Sequence, residues 1–404
     1  MISVQDADKI IQDHVREFST EEIPLHASYR RVLREDLLAD RDLPPFNRST
    51  MDGFAVSRRE LEKGRRVFMV CGTQPAGIDP RRDCPRDNAL EIMTGAVVPE
   101  VYDVVIPVEY CQLSEGSVTV REDYQPGENA FIHLKGADAE QGRVILKKNA
   151  RLTAPRVSIA ASIGKTRLKV TKKIQAAVIS TGDEIVPIDT AEIRPYQIRA
   201  SNCYACSALL DSTGLFETST FHLKDDPKEM KTAIKPLMET FDTLILSGGV
   251  SMGRYDYVPR VLKELGVSTL FHKVSQRPGK PFWFGLTPQG RPVFALPGNP
   301  VSTQVCCRRY VLQHLTRAAG LMEKKEYARL TTGFDFQPSL TYFLPVKLSR
   351  DPSACHFAEP ILNRGSGDFT ALAESNGIME LESSLIHFQE GHAAPIYRWE
   401  NTDE

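Results

Sequence analysis

The sequence lacks any long apolar run and any apolar core near its N-terminus. Its 404 residues contain no stretch that approaches the roughly 18 apolar residues of a membrane-spanning helix. The chain begins instead with the pattern of an amphipathic helix, which follows a Ser3-x-x-Asp6 capping box and runs to about Phe18. With neither a span nor a secretory signal, the sequence predicts a cytoplasmic protein without membrane contacts.

A strong charge of either sign is also missing. Lysine and arginine number 50 against 52 aspartates and glutamates, which leaves a formal net charge of −2. Proteins whose main partner is nucleic acid usually present a basic face. The charge balance therefore argues against nucleic acid as a partner, and the length predicts a globular protein of two to four domains.

Cysteine is sparse and irregularly spaced. The eight cysteines are scattered through the chain, which is not the spacing of a disulfide-rich domain. Cys203-x-x-Cys206 has no second pair at the spacing of a zinc site. Because it follows Ser201-Asn202, a predicted helix start, we expect two thiols on one helix face rather than metal ligands.

The standard nucleotide-binding motifs are absent from the glycine-rich loops of this chain. Neither Gly-x-x-x-x-Gly-Lys-Ser/Thr nor Gly-x-Gly-x-x-Gly occurs there, which disfavours an ordinary NTPase or dinucleotide dehydrogenase. The loops that are present read Ser-Thr-Gly-Asp-Glu at 180–184, Ser-Gly-Gly-Val-Ser-Met-Gly at 247–253, Arg-Pro-Gly-Lys at 277–280 and Leu-Pro-Gly-Asn-Pro at 296–300. Each adjoins an apolar run short enough to be a buried strand.

These loops have the composition of a phosphate-binding crevice. Gly248, Gly249 and Gly253 allow backbone N–H groups to approach an anion, and Ser247 and Ser251 add hydroxyl donors. If the strands are parallel, the loops emerge together at their carboxyl ends, where open α/β sheets bind ligands. The alternative is that the glycines only connect strands.

Two cations accompany the loops. Lys280 supplies a mobile point charge and Arg277 a planar guanidinium, and both suit phosphate oxygens. Earlier in the chain, Asp52-Gly53 follows a proline-rich stretch. This dipeptide is a hairpin signal, but its polar neighbours also make the Asp52 carboxylate a candidate site residue.

The order of predicted elements indicates an α/β multidomain fold. Residues 174–324 alternate strands and helices and predict a central doubly wound, three-layer α/β domain. Residues 41–133 and 325–404 predict two small β-rich domains. Residues 1–40 with 134–173 predict a mixed, elongated domain into which the first β-rich domain is inserted.

Several motifs in register resemble those of the molybdopterin molybdenumtransferases, which include the E domain of gephyrin. They are Pro-Pro-Phe-x-x-Ser-x-Met-Asp-Gly-Phe-Ala-Val, Ile-Met-Thr-Gly-Ala, Ser-Thr-Gly-Asp-Glu, Ser-Gly-Gly-Val-Ser-x-Gly-x-x-Asp, Pro-Gly-Lys-Pro and Leu-Pro-Gly-Asn-Pro. The resemblance covers nearly the whole chain. It implies a four-domain dimeric fold and an Mg²⁺-dependent enzyme that inserts molybdate into adenylylated molybdopterin and releases AMP.

The resemblance also implies roles for particular residues. Catalytic roles fall on Asp52, Thr94, Asp183, Asp226, Lys273, Arg277 and Lys280. Substrate binding falls on Ser180, Gly182, Ser247, Gly248, Gly249, Ser251, Gly253, Asp256, Pro297, Asn299, Pro300 and Ser366. Asp183, Asp226 and Asp256 are the implied Mg²⁺ ligands. Asp52 and Thr94 would reach the crevice of a neighbouring subunit, so the active site would lie between the subunits of a homodimer.

Two acidic positions of the family are changed in this chain. Ala137 stands in Gly136-Ala137-Asp138 where the family usually has Glu, and Ala200 stands where it usually has Asp. Asp138 or Glu140 could compensate for the first change. These changes leave open the alternative of a catalytically weakened pterin-binding or scaffold paralogue. A molybdopterin adenylyltransferase that acts one step earlier is a second alternative, because that enzyme shares the Gly-Gly loop sheet, but the extra β domains argue against it. An adenylyltransferase upstream and molybdoenzymes downstream are the protein partners that the resemblance implies.

Overall fold

The computed structural model describes residues 1–251, 256–362 and 368–400. Its internal contacts divide the chain into two units. The larger unit comprises Met1–Arg34, Asn149–Val157 and Arg167–Glu404, and the smaller unit comprises Glu35–Lys148 and Ser158–Thr166. The α/β multidomain class is confirmed, whereas the domain boundaries given above stay predictions.

The first helix and the helix that starts at Asn202 are present as the sequence predicts, among the following α-helices of the described residues. They are α1 Val4–Asp13, α2 Arg58–Glu62, α3 Ala154–Ser162, α4 Asn202–Asp211, α5 Pro227–Thr240, α6 Val258–Glu264, α7 Pro300–Cys306 and α8 Gln313–Ala318. The capping box of α1 is present, since the Ser3 hydroxyl accepts from the Asp6 backbone N–H at 3.0 Å. α1 ends at Asp13, short of Phe18. None of the described helices is long and apolar enough to cross a bilayer.

A six-stranded sheet forms the centre of the larger unit. Its strands are β1 Ile174–Thr181, β2 Phe216–Leu223, β3 Thr243–Ser247, β4 Ser268–His272, β5 Trp283–Leu286 and β6 Pro292–Leu296, in the order β2-β1-β3-β6-β5-β4. The strands β2, β1, β3 and β6 are parallel. β5 is antiparallel to β6 because the connection between them is too short for a crossover helix, and β4 is antiparallel to β5.

Both faces of this sheet are covered, so the predicted three-layer arrangement is confirmed. On one face, Val178 and Ile245 pack into a core with residues of α1, α4 and α7. On the other face, Ile179 and Leu246 pack into a core with residues of α5 and α6. The alternation along each strand follows from the two-residue period of side-chain direction.

A second sheet makes up the C-terminal part of the larger unit, as the β-rich tail predicts. Its order is Gln276–Arg277, Thr341–Arg350, His356–Pro360, Glu326–Leu330, Ala393–Arg398, Gly377–Leu381. Thr341–Arg350 also pairs with Gly377–Leu381, which closes these strands on themselves. Shorter pairs in the larger unit join Thr20–Pro24 to Arg167–Thr171, Ile185–Val186 to Ile198–Arg199 and Phe334–Asp335 to His387–Phe388.

The smaller unit is built on a third six-stranded sheet. Its order is Val104–Pro107, Gly53–Val56, Ala89–Ile92, Val67–Gln74, Ser117–Val120, Cys111–Ser114. Arg48–Ser49 pairs with Ile132–His133, and Leu37–Leu38 pairs with Val144–Leu146. The hairpin interpretation of Asp52-Gly53 is wrong, because Gly53–Val56 pairs with Ala89–Ile92 and Val104–Pro107 and not with the strand that precedes it.

One cysteine pair differs from expectation. Cys71 and Cys84 are joined in a disulfide with their Cα atoms 5.6 Å apart, although the spacing of the cysteines gives no sign of it. Cys203 and Cys206 are both buried on α4, as predicted. Their thiols pack into the core of the central sheet.

Candidate functional site

Three of the four glycine loops of the larger unit converge on one cleft of about 470 Å³. The loops follow β1, β3 and β6, which are adjacent parallel strands and therefore end at the same edge of the sheet. The expectation of a single crevice is confirmed for these three loops. The size of the cleft is in the range of small-molecule sites.

Close packing of the loops requires glycine. Gly248 has φ +100°, and a Cβ there would lie 2.6 Å from the carbonyl oxygen of Thr181. Gly249 has φ +61°, and its Cβ would lie 2.9 Å from a methyl carbon of Val258. Any side chain would therefore force the β1 and β3 loops apart, in addition to the cost of positive φ.

Asn202, the first residue of α4, connects the loops that follow β3 and β6 by hydrogen bonds. Its Nδ2 group donates to Ser247 Oγ at 2.9 Å and to the Gly298 carbonyl at 2.7 Å. The N-cap residue, Ser201, makes no side-chain hydrogen bond to the helix. Both residues line the cleft, so the start of α4 contributes the positive end of its dipole and backbone N–H groups to it.

Three residues that line the cleft carry buried polar atoms with no hydrogen-bond partner. These atoms are Thr181 Oγ1, Asn202 Oδ1 and Asp225 Oδ1. A buried polar group without a partner costs about 1–3 kcal/mol, so such groups are rare in folded proteins. Their clustering around one cleft indicates a ligand that supplies the missing partners.

Acidic side chains are concentrated at the same edge. Burial raises the pKa of Asp225, and the neighbouring charges of Asp183, Glu184 and Asp256 raise it further. The Asp225 backbone N–H donates to Asp183 Oδ1 at 3.2 Å. A bound cation would offset the free-energy cost of burying the ionised Asp225 carboxylate. It would also reduce the repulsion between the neighbouring carboxylates.

These carboxylates fit a magnesium ion that is shared with a phosphate-bearing substrate. Within residues 1–251, 256–362 and 368–400, no three His, Cys, Asp or Glu side chains stand close enough to form a metal site by themselves. Mg²⁺ is usually held by one or two carboxylates together with substrate phosphates. Asp225, with its buried unpartnered oxygen, is the best-placed ligand, and Asp256 also lines the cleft.

Asp226 has a structural role that differs from the metal-binding role implied by the resemblance. Its Oδ1 caps α5, accepting from the backbone N–H groups of Lys228 at 2.9 Å and Glu229 at 2.8 Å, and it does not line the cleft. An Asp that precedes Pro227 at the first helical position is the expected N-cap. Metal binding by Asp226 stays a prediction. The preceding residue, Asp225, is better placed to bind a metal ion.

Most of the substrate-binding residues named from the sequence lie together in the cleft. Its lining includes Ser180, Gly182, Ser247, Gly248, Gly249, Ser251, Asp256, Pro297, Asn299 and Pro300. Gly253 and Ser366 fall outside the described residues. The cleft is also lined by residues to which the sequence analysis assigned no site role, among them Thr181, Glu184, Arg199, Asn202 and Asp225. The Ser-Asn pair at a helix start and the Asp-Asp-Pro triplet were the signals that could have identified two of these.

Lys273, Arg277 and Lys280 do not line the cleft, although the adjacent Pro281 does. Lys280 is exposed. The Arg277 guanidinium lies 6.0 Å from the ring centre of Phe336. The phosphate-binding and catalytic roles of these cations therefore stay predictions.

Asp52 and Thr94 belong to the smaller unit, where they contact each other. Asp52 Oδ1 accepts from the Thr94 hydroxyl at 2.7 Å and from its backbone N–H at 2.6 Å. The hydrogen bond from the Thr94 hydroxyl lowers the pKa of Asp52 most, and the hydrogen bond from the Thr94 backbone N–H lowers it further. The carboxylate is thus held ionised in a fixed position on an exposed surface.

The two alanines that replace acidic residues lie in different units. Ala200 lines the glycine-loop cleft, so an acid is missing from its wall. Ala137 lies in the smaller unit beside Asp138, whose Oδ1 is 3.0 Å from His133 Nε2.

Comparison with known proteins identifies the family. Models of the MoeA N-terminal region (domain I and II), a probable molybdopterin binding domain and the MoeA C-terminal region (domain IV) match residues 2–164, 177–317 and 327–399. A molybdopterin molybdenumtransferase from Synechocystis sp. is 41% identical over 401 residues, which cover 99% of this chain and 100% of that protein. The chain belongs to the molybdopterin molybdenumtransferase family.

Other family members agree in length and fold. A molybdopterin molybdenumtransferase from Staphylococcus epidermidis is 30% identical over 98% of this chain and 95% of its own. The crystal structure of a molybdopterin biosynthesis MoeA protein from Pyrococcus horikosii superposes with a TM-score of 0.80 at 31% identity, over 99% of this chain and all of that one. The resemblance found in the sequence motifs is therefore confirmed.

Proposed function

We propose that this protein is a molybdopterin molybdenumtransferase, which inserts molybdate into adenylylated molybdopterin and releases molybdenum cofactor and AMP. The observation that carries the proposal is the glycine-loop cleft. Its loops, helix N-terminus and unpartnered buried atoms suit a ligand that bears phosphate groups and further polar groups.

Different residues of the cleft would bind different chemical groups of the substrate. The backbone of Gly248 and Gly249 and the start of α4 would hold the phosphates. Arg199 lines the same cleft and would pair with an oxyanion. Asn202 positions the β3 and β6 loops against one another and leaves its Oδ1 for a donor of the substrate.

Magnesium, when bound, would neutralise the charge that accumulates on the phosphate oxygens as the pyrophosphate is cleaved. Asp225 would hold it together with Asp256 or Asp183 and the substrate oxygens. The charges of these neighbouring acids raise the pKa of Asp225, and its buried Oδ1 has no hydrogen-bond partner, which is the reason for assigning the ion to them.

The proposed active site would include residues of a second subunit. The fixed Asp52 carboxylate with Thr94 would act in the cleft of a partner subunit in a homodimer, and Ser366 would close the site. The enzyme would work in the cytoplasm, take its substrate from an adenylyltransferase and pass its product to molybdoenzymes.

Two neighbouring aspartates give a sharp test of the proposal. Purified protein with adenylylated molybdopterin, Mg²⁺ and molybdate should release AMP, and chelation of Mg²⁺ should stop it. Asp225→Asn should abolish release, whereas Asp226→Asn, which keeps an N-cap residue, should leave it within about twofold. No release from the wild-type protein, with a family enzyme active in parallel, would overturn the proposal.

A non-catalytic pterin-binding paralogue is the second candidate, because Ala200 removes an acid from the cleft wall. It predicts tight binding of adenylylated molybdopterin without AMP release, and gain of release in the double variant Ala137→Glu, Ala200→Asp. A molybdopterin adenylyltransferase would instead consume ATP to adenylylate molybdopterin, which the same assay with ATP detects.

A further inference from the structure

A disulfide fastens a long irregular loop of the smaller unit. Residues 75–88 join the adjacent strands Val67–Gln74 and Ala89–Ile92 and contain no helix or strand. Cys84 is the one buried residue within 75–88, and its bond to Cys71 closes the loop onto the first of these strands. Loops of this length are uncommon in compact domains and are frequently functional.

Other contacts hold the two ends of this loop without the disulfide. The buried Gln74 side chain donates to three carbonyl oxygens of the loop and accepts from the Arg81 backbone N–H at 2.9 Å. Toward the other end, the Tyr102 hydroxyl donates to the Pro85 carbonyl at 3.2 Å. Breaking the disulfide should therefore loosen the exposed middle of the loop and leave the sheet folded.

The first half of the loop lies against the turn at 93–95, which contains Thr94. The Gln74 carbonyl accepts from the first backbone N–H of this turn at 3.1 Å. Ala76 Cβ is 3.8 Å from the position that a Cβ would take on the last residue of the turn. Between these two contacts, the Thr94 N–H and hydroxyl both donate to Asp52. The loop therefore supports the turn that positions the Asp52–Thr94 pair.

The disulfide can be attacked at one of its sulfurs. Cys71 is half-buried, whereas Cys84 is 8% exposed. A thiolate of a dithiol would attack Cys71 Sγ, so that the Sγ–Sγ bond breaks and Cys84 leaves as a thiolate. The second thiol of the reductant would then displace Cys71. Two electrons and two protons pass to the cysteines, and the dithiol becomes a disulfide.

We infer that Cys71 and Cys84 form a redox modification site, which a dithiol reduces and which the reverse exchange with a disulfide compound restores. The bond fixes residues 75–88 against the turn at 93–95, and reduction loosens both without unfolding the sheet. In the cytoplasm, where the protein is proposed to work, disulfides are usually transient, catalytic or redox-sensing. The effect on the loop does not depend on the proposed transferase reaction.

Thiol exchange is tested on the folded protein. After incubation with dithiothreitol, free thiols are blocked with iodoacetamide, and the cysteine-containing peptides are measured by mass spectrometry. Cys71 and Cys84 should become labelled while the circular dichroism stays native, and oxidised glutathione should restore the bond. Labelling only in urea, or loss of the native circular dichroism on reduction, would show a purely structural disulfide and would overturn the inference.

Two local measurements on the blocked protein report on the loop and on the turn. Reduction should speed tryptic cleavage after Arg81 and Arg82 by about threefold or more, and it should speed hydrogen exchange of the turn at 93–95 by a similar factor. Cleavage after Arg121, in the same unit, is the internal control. Unchanged cleavage of the loop overturns the inference, and unchanged exchange of the turn overturns its link to Thr94.

Matched variants separate this disulfide from the other thiols. Cys71→Ser with Cys84→Ser should be cleaved like the reduced wild type under both conditions. Cys111→Ser with Cys355→Ser removes two free thiols and should respond to dithiothreitol like the wild type. A response of the first pair to dithiothreitol would overturn the inference.

An effect on activity rests on the proposed function, through Asp52 and Thr94. Reduction should lower AMP release by about threefold or more in the wild type and in the control pair, and release should stay low in the pair that lacks the disulfide. Release that is independent of the redox state would contradict the link to the site. Absence of release from the oxidised wild type would instead count against the proposed function, while the cleavage and exchange measurements still decide the inference.

Discussion

Two polar clusters of the larger unit differ in how completely they are satisfied. Arg309, 4% exposed, donates to both Asp8 oxygens at 2.7 and 2.5 Å and to Glu380 at 2.8 Å. Asp225 instead keeps a buried oxygen without a partner beside Asp183 and other acids. The first cluster joins α1, the π-helical segment Cys307–Leu312 between α7 and α8, and the C-terminal sheet, and the second lines the glycine-loop cleft.

The Arg309 cluster has the complete set of partners that is typical of a group that stabilises the fold. Asp225 lacks a partner that a bound ligand could supply. A buried ion pair stabilises the fold only while both partners are present, so removing one partner is costly. An unpaired buried acid already lowers stability, so removing its charge should not lower it further. Variants of the two clusters should therefore affect different properties.

The largest stability effect is expected at Arg309. Arg309→Met should lower the free energy of unfolding by about 3–5 kcal/mol, because the buried guanidinium is lost and Asp8 and Glu380 would stay partly buried without a counter-charge. Urea unfolding followed by circular dichroism measures it. A loss below about 1 kcal/mol would mean that this cluster does not hold the fold.

The next effect is expected where the glycine loops pack against each other. Gly248→Ala should cost about 1–3 kcal/mol through its positive φ and the contact with Thr181, and it should also stop AMP release. Gly127→Ala is the control, since Gly127 has no positive φ and a Cβ there would meet no heavy atom within 4 Å. Equal stability of the two variants would contradict the packing argument.

Asp225 should show the opposite pattern, with lost activity and no loss of stability. Its pKa is raised above 3.8, so the folded state binds the proton more tightly than the unfolded state. Its contribution to stability therefore falls as the pH rises from about 3.8 through the folded pKa. Asp225→Asn should remove this fall and leave the protein equally or slightly more stable at pH 7. A clear loss of stability in urea would show that Asp225 holds the fold.

Only a small effect on stability is expected at Asp52. Its pKa is lowered, so its contribution is present above about 3.8 and is lost as the pH falls through the folded pKa. Asp52→Ala should change the thermal midpoint little, because the carboxylate is exposed, but it should reduce AMP release at least tenfold. A large drop in the midpoint with activity intact would give Asp52 a purely structural role.

Much of the candidate site could be predicted because its loops have a strong local signal. Short apolar runs followed by glycine and serine determine both the strands and the turns, and parallel strands bring such turns together. The capping role of Asp226 also has a local signal, in the Pro227 that follows it. The hairpin interpretation of Asp52-Gly53 failed because strand pairing depends on partners that are far away in the sequence.

The sequence by itself determined the family, the α/β class and the residues of the glycine loops, since these depend on local residue patterns. Only the tertiary structure decided which of Asp225 and Asp226 lines the cleft and which buried atoms lack partners. The physical reason is that burial and charge environment are set by neighbours in space, and most of those neighbours are remote along the chain.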